Sequence, residues 1–272
     1  MPDRPVAFVT GASQGIGSQT ALEFARRGYA CVLVARNAER LEQLATEIAA
    51  LGSESHVCAG DLADLQFARS AVDQAADRFG RIDVLVNNAA WRKIGTMRQI
   101  EADEWDQTLR VCLTAPAFLA KWCAAAMEPA RRGVILNVSS IQSKLAPGIC
   151  PAYIAAKGGL DSLAYELAAL YGPVGIRVLS LNLGAIDTEM SADYVSSDGE
   201  DVSALLRRYA EDMIPLQRFA QADEIARSIA MLASDDASYL TGACLEMDGG
   251  WNHQATPYSL KRKQFPHEFP SP

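Results

Sequence analysis

Val6-Ala7-Phe8-Val9-Thr10-Gly11-Ala12-Ser13-Gln14-Gly15-Ile16-Gly17 is a short apolar run, then a glycine-rich turn, then the start of a segment with helical spacing. Strand, turn and helix in that order are the first half of a βαβ unit, and the rhythm continues down the chain. Further strand-like runs lie at Ala30 to Val34, Ser55 to Ala59, Asp83 to Val86, Gly133 to Val138, Ile176 to Leu181 and Cys244 to Met247. Helical segments fit around them at Gly15 to Arg27, Ala38 to Leu51, Leu65 to Phe79, Asp103 to Met127, Pro151 to Tyr171 and Asp223 to Ala233. Leu41, Leu44, Ile48 and Leu51 recur at spacings of three and four, the period of one helix face. Most strand runs lack polar alternation, as strands of a parallel sheet covered on both faces do. The expected fold is therefore α/β, a doubly wound parallel sheet with helices on both faces.

The chain has 272 residues, which at roughly 150 per domain permits one large domain or two small ones. Apolar residues make up 49% and charged residues 21%, which excludes a disordered or collagenous chain. Twenty-five basic residues against 33 acidic ones leave a net charge of −8, which argues against nucleic acid as a partner. No apolar run of membrane-spanning length stands out, and the start of the chain has no signal-peptide core, so the expectation is a soluble, cytoplasmic protein. The six cysteines are scattered without a CxxC and the three histidines form no HExxH, so neither a metal site nor a redox pair is expected.

No linker or internal repeat divides the chain, so residues 1–251 read as one domain and 252–272 as an extension. Within it, residues 187–215 contain the polar stretch Ser196-Ser197-Asp198-Gly199-Glu200-Asp201, which reads as a flexible insertion fit to act as a lid over a substrate. The tail holds four of the twelve prolines and reads as extended rather than helical.

The glycine turn carries the first chemical signal. Its glycines permit a tight turn and close backbone approach, and the helix N-terminus behind it offers free N–H groups to a pyrophosphate. The spacing is Gly-x-x-x-Gly-x-Gly, and a purely structural turn is the alternative reading. About 20 residues on, an acid at the end of the second strand would select NAD. Here the strand ends Val34-Ala35-Arg36-Asn37, and Arg36 instead suits a 2′-phosphate through charge-assisted hydrogen bonds, which favours NADP, with NAD as the alternative. Asp61 is placed either to accept from the adenine amine or to cap the following helix.

The second signal is Tyr153-Ile154-Ala155-Ala156-Lys157, which sets a phenol and an ammonium four apart on one helix face. A nearby cation favours the phenolate, so Tyr153 becomes usable as an acid or base near neutral pH. Asn137-Val138-Ser139-Ser140 ends the fifth strand and Asn87-Asn88-Ala89-Ala90 ends the fourth, on the edge where such sheets bind ligands.

These segments, in order and spacing, resemble the short-chain dehydrogenase/reductase family, and the resemblance runs from Val6 to Trp251. Asn182 to Thr188, Tyr239-Leu240-Thr241-Gly242 and Asp248-Gly249-Gly250 extend it. It implies a Rossmann-type fold in which Ser140 binds the substrate oxygen, Tyr153 exchanges the proton, and Lys157 lowers the Tyr153 pKa and holds the nicotinamide ribose. Gly11, Ser13, Gln14, Gly15, Ile16 and Gly17 would receive the dinucleotide, with Arg36, Asp61, Leu62, Asn87, Ala89 and Gly184 beside it, and Ile186 with Thr188 would fix the carboxamide. Three positions depart from the family pattern. Cys112 stands where an Asn usually helps hold a relay water, which a thiol cannot do in the same way. Ala90 replaces a Gly and Leu183 a Pro.

On the substrate side, Trp91, Arg92, Lys93, Gln142, Lys144, Ile149 and Cys150 are candidates to face the pocket, with Arg92, Lys93 or Lys144 as recognition groups for an anionic or polyhydroxylated substrate. The resemblance implies a homotetramer or homodimer, in which Trp251 and the tail reach a neighbouring subunit or remain disordered. The expected function is carbonyl and secondary-alcohol interconversion with NADP(H), as in a 3-oxoacyl or sugar-ketone reductase. The alternatives are an NAD-dependent sugar or polyol dehydrogenase and a non-catalytic dinucleotide sensor or scaffold.

Overall fold

The computed structural model describes residues 4–191, Val195 and residues 199–269. In chain order its strands are β1 (Val6–Thr10), β2 (Ala30–Ala35), β3 (Ser55–Ala59), β4 (Val84–Asn87), β5 (Gly133–Ser140), β6 (Ile176–Leu183), β7 (Ile186–Asp187), β8 (Ala220–Gln221) and β9 (Ala243–Met247). The helices are α1 (Gly15–Arg26), α2 (Ala38–Ala50), α3 (Leu65–Phe79), α4 (Ala102–Leu109), α5 (Ala115–Met127), α6 (Pro151–Tyr171), α7 (Ser203–Met213), α8 (Ala222–Ala233) and α9 (Tyr258–Gln264).

Seven strands form one parallel sheet in the order β3-β2-β1-β4-β5-β6-β9. Every residue of β1 and β2 is buried, as continuous apolar strands between two helical layers must be. Phe24, Leu41, Ile48 and Ile229 from α1, α2 and α8 pack on one face against Val9, Leu33 and Leu136. Leu119, Met127 and Ala164 from α5 and α6 pack on the other against Phe8, Val32 and Leu85. Each fully buried Leu or Phe contributes about 1.5–3 kcal/mol, so these two layers carry the fold. The strand order reverses between β1 and β4, and it is beside that reversal that open sheets bind ligands.

Four sequence expectations change. The segment Asp103 to Met127 is not one α-helix, because a π-helical turn, Arg110–Thr114, separates α4 from α5. Pro116 brings no N–H to the carbonyl four residues earlier, so the ladder widens there. The combined segment Ala102–Ala130 is also long and apolar enough to cross a membrane by length and composition, contrary to the expectation of no such run. Within it, α5 buries Leu119, Cys123, Ala124 and Met127 against the sheet, as a core helix does.

Described parts of the insertion form regular structure: β7 pairs with β8, and α7 lies between them in the chain. Ser196, Ser197 and Asp198 of the polar stretch lie outside the described residues. The tail is not simply extended, since α9 forms between its prolines rather than through them: Pro257 precedes the helix and Pro266 follows it. Ser259 N and Oγ both donate to the Asp212 carboxylate at 2.7 Å, which ties α9 to α7 of the same chain. The six cysteines are free, and all but Cys244 are buried. Burial pushes the thiols of Cys31 and Cys58 up to about 12 and about 11.

Candidate active site

The C-terminal ends of β1, β4, β5 and β6 open on a cavity of about 790 Å³. Its nucleotide half is built first by the turn after β1. Gly15 sits at φ +56°, a left-handed conformation that favours glycine. A Cβ on Gly17 would collide with the Gly11 carbonyl, so only glycine lets α1 start this close to the turn. Asn37 and Asp64 cap α2 and α3 with their side chains, at 3.0 and 2.8 Å, whereas α1 has no side-chain cap. Its first amides therefore stand beside the cavity wall formed by Gly11, Ser13, Gln14, Gly15 and Ile16. This arrangement fits a pyrophosphate.

Arg36, exposed at the end of β2, lines the same cavity with Asp61 and Leu62. Asp64, not Asp61, caps α3, while Asp61 Oδ1 accepts from Ala63 N at 2.9 Å in a local turn. Arg40 donates to Gln14 and pairs with Glu189 at 3.1 Å, bridging the turn to the segment beyond β7. Ala89, Gly184, Ile186 and Thr188 also reach the cavity.

Two expected positions do not line it. Gly17 is buried under the turn as packing. Asn87 is 2% exposed, with Nδ2 donating to Asn137 Oδ1 at 2.9 Å and to Pro116 O at 3.3 Å, so it joins β4 to its neighbours. Alternation along the strand turns the next residue the other way, and Asn88 lines the cavity instead. Its Nδ2 donates to Thr10 O at 2.9 Å, and Thr10 Oγ1 accepts from the amides of Asn88 and Ala89 at 2.9 and 3.0 Å.

Ser140, Tyr153 and Lys157 meet on the opposite wall. β5 delivers Ser140 at the sheet edge, and α6 brings Tyr153 and Lys157 over it one turn apart. Ser140 Oγ accepts from Gln142 N at 3.2 Å and donates to Leu183 O at 3.4 Å. Ser139 Oγ instead donates to the Lys157 carbonyl at 3.4 Å. Lys157 is 2% exposed, and its Nζ donates to Val138 O at 2.6 Å while lying 5.3 Å from the Tyr153 ring centre. The net shift on Tyr153 differs from the sequence expectation. Burial pushes the phenol above its ordinary value, and the Lys157 ammonium, pulling downward, does not overcome it.

Cys112 lies in the π turn, with Sγ donating to Trp91 O at 3.3 Å and accepting from Trp91 N at 3.4 Å. Its thiol is thus occupied with the strap after β4. Of the three candidate cations, Lys93 pairs with Glu104 at 3.0 Å and Lys144 with Glu246 at 3.2 Å, both away from the cavity. Arg92 lines it and donates to Met190 O at 2.9 Å. Trp91, Gln142 and Ile149 line it as well, whereas Cys150 is buried behind Gln142. Trp251 lines the cavity of its own chain. The sequence reading had not singled out Leu206, Tyr209 and Met213 of α7, whose spacing of three and four was the available signal.

A family model described as enoyl-(acyl carrier protein) reductase matches residues 11–252. The chain is 34% identical over 249 residues to a D-threitol dehydrogenase of Mycolicibacterium smegmatis, covering 92% of this chain and 93% of that one. It is 32% identical over 245 residues to a 3-oxoacyl-(acyl-carrier-protein) reductase of Staphylococcus aureus, covering 90% and 96%. Among solved structures, a short-chain type dehydrogenase/reductase from Mycobacterium marinum superimposes with a TM-score of 0.82 at 28% identity, covering 91% and 95%.

Proposed function

The chain belongs to the short-chain dehydrogenase/reductase family and is an NAD(P)-dependent oxidoreductase acting on CH-OH groups, and from that premise we propose that it interconverts a ketone and a secondary alcohol using NADP(H). The observation that carries this reading is the meeting of Ser140, Tyr153 and Lys157 on one wall of a cavity whose other half is the glycine turn with Arg36.

The dinucleotide, when bound, supplies or accepts the hydride. The chain supplies position and the proton. The uncapped amides of α1 and the Gly11 to Gly15 turn would receive the pyrophosphate, and Arg36, flanked in sequence by Ala35 and Asn37, would meet a 2′-phosphate. Ser140 Oγ donates to the substrate oxygen. In the reducing direction Tyr153 gives its phenolic proton to that oxygen, and in the oxidising direction it takes the proton back. Lys157 favours the phenolate electrostatically and has further donors for the nicotinamide ribose. Gly184, Ile186 and Thr188 edge the site where the carboxamide would lie.

Residues 1–251 form the catalytic unit in this reading, with 252–272 as an extension whose helix α9 is tied to α7. We further place the enzyme in the cytoplasm as a homotetramer or homodimer whose partner in catalysis is a small carbonyl or alcohol. The likeness to a D-threitol dehydrogenase favours polyol oxidation as the second reading. A panel of ketones and secondary alcohols assayed with NADPH, NADH and both oxidised forms tests the proposal. NADPH-dependent ketone reduction is expected, and no turnover with any pair would refute it.

A further inference from the structure

Gln142 follows Ser140 by two residues on the short turn Ile141–Ser143, and its backbone N–H already serves the Ser140 hydroxyl. It lines the same cavity as Tyr153. Its Oε1 accepts from the Cys150 thiol at 3.3 Å, while Nε2 makes no hydrogen bond to any described residue. Cys150 is 3% exposed at the entrance to α6. Burial raises its thiol, so the sulfur keeps its proton and remains a donor. A carboxamide whose oxygen is taken by a donor presents its NH₂ to whatever lies before it.

Trp91, Ile149, Leu206, Tyr209, Met213 and Trp251 give the rest of the substrate side a large apolar and aromatic area. Arg92, Gln107 and Ser191 add polar groups to the same wall. Arg207 is committed to Asp187 at 3.1 Å and Glu211 at 3.0 Å, with its guanidinium 4.6 Å from the Phe219 ring centre. Hydroxyls of a polyol that fell against the apolar side chains would lose their water without gaining a partner.

Building on the carbonyl reductase reading above, we propose that Gln142 determines specificity by donating through Nε2 to an oxygen on the carbon next to the reacting one. The preferred substrate is then a vicinal diol, or the corresponding α-hydroxy ketone, with an apolar body. In oxidation the carbinol carbon loses a hydride to the oxidised nicotinamide and its hydroxyl proton to Tyr153, giving the ketone. The neighbouring hydroxyl keeps its bonds and contributes only its hydrogen bond to Gln142. Cys150 acts through Gln142 and is a positioning residue.

The test compares kcat/KM for cyclohexanol, the vicinal cyclohexanediol and threitol in the wild type, Gln142→Leu, Cys150→Ala and Cys150→Ser. The wild type is expected to prefer the diol to cyclohexanol by about tenfold or more, and to prefer it to threitol. Gln142→Leu should cut the diol-to-cyclohexanol ratio by about 10- to 100-fold. Cys150→Ala should raise KM for the diol with little change in kcat, and Cys150→Ser, which restores a donor, should recover the wild-type KM. Equal losses on both alcohols in Gln142→Leu, or faster turnover of threitol than of the diol, would overturn the assignment while leaving ketone and alcohol chemistry intact. Absence of turnover on every compound by the wild type would overturn both readings together.

Discussion

The Lys157 ammonium lies 5.3 Å from the centre of the Tyr153 ring and is fixed there by the Val138 carbonyl at 2.6 Å. It opposes a burial that by itself disfavours the phenolate. Removing the charge leaves only the opposing effect. Lys157→Met should therefore move the limb governed by Tyr153 in alcohol oxidation to higher pH. A displacement of one unit corresponds to about 1.4 kcal/mol of lost phenolate stabilisation. The pH profile of kcat/KM for variant and wild type measures it, and coincident limbs would remove Lys157 from this role.

Tyr153→Phe keeps the buried ring and deletes the hydroxyl. Turnover should fall by at least about 10²- to 10⁴-fold, the usual contribution of a positioned acid or base. Dinucleotide affinity, followed by fluorescence titration, should stay within about threefold. Retained activity would assign the proton to another group.

Arg36 is exposed at the end of β2 with no carboxylate in the adjoining Ala35 or Asn37. Arg36→Glu should raise KM for NADPH by roughly 10- to 100-fold, the equivalent of one or two charge-assisted hydrogen bonds lost. KM for NADH should change far less. A parallel rise for both would mean that the guanidinium does not read the 2′-phosphate.

Glu224 pairs with Arg218 at 2.7 Å and accepts from Gln221 N at 2.8 Å in the capping box of α8. The pair with Arg218 chiefly, and then the Gln221 amide, hold its carboxyl down at about 2. A carboxyl depressed on folding stabilises the protein above its ordinary value of 4.5 and loses that contribution as pH falls toward about 2. Glu224→Gln should cost about 0.5–1 kcal/mol at neutral pH after solvent screening, and the gap to wild type should close on acidification. Urea melts across that range provide the measurement, and a gap independent of pH would contradict the ionic origin.

The sheet was legible because buried parallel strands are written as unbroken apolar runs. β3 matches its expected bounds, β4 is shifted by one residue at both ends, and β2, β5, β6 and β9 differ by one or two residues at one end. The convergence of Ser140, Tyr153 and Lys157 on one wall was legible because a strand end and a helical spacing of four are local features. That Asn88 and not Asn87 reaches the cavity was not legible, because the direction of a side chain at a strand terminus depends on where pairing stops. The π turn was missed through Pro116, whose absent N–H acts on a carbonyl one turn back. α7 was hidden by the polar residues before it and α9 by the prolines around it, and both are held by contacts between distant segments, as at Asp212 and Ser259. The net effect on the Tyr153 proton was illegible for a similar reason, since burial belongs to the whole fold and the neighbouring lysine to the local sequence.

The distribution of thiols carries a practical consequence for anyone handling this enzyme. Only Cys244 is partly accessible, and it sits on the outer strand of the sheet. An alkylating reagent applied to the folded protein should add a single mass increment there first, without touching the chemistry. A second increment at Cys150 would report that the wall behind Gln142 has opened, so stepwise mass spectrometry turns the native cysteines into a built-in gauge of breathing at the site.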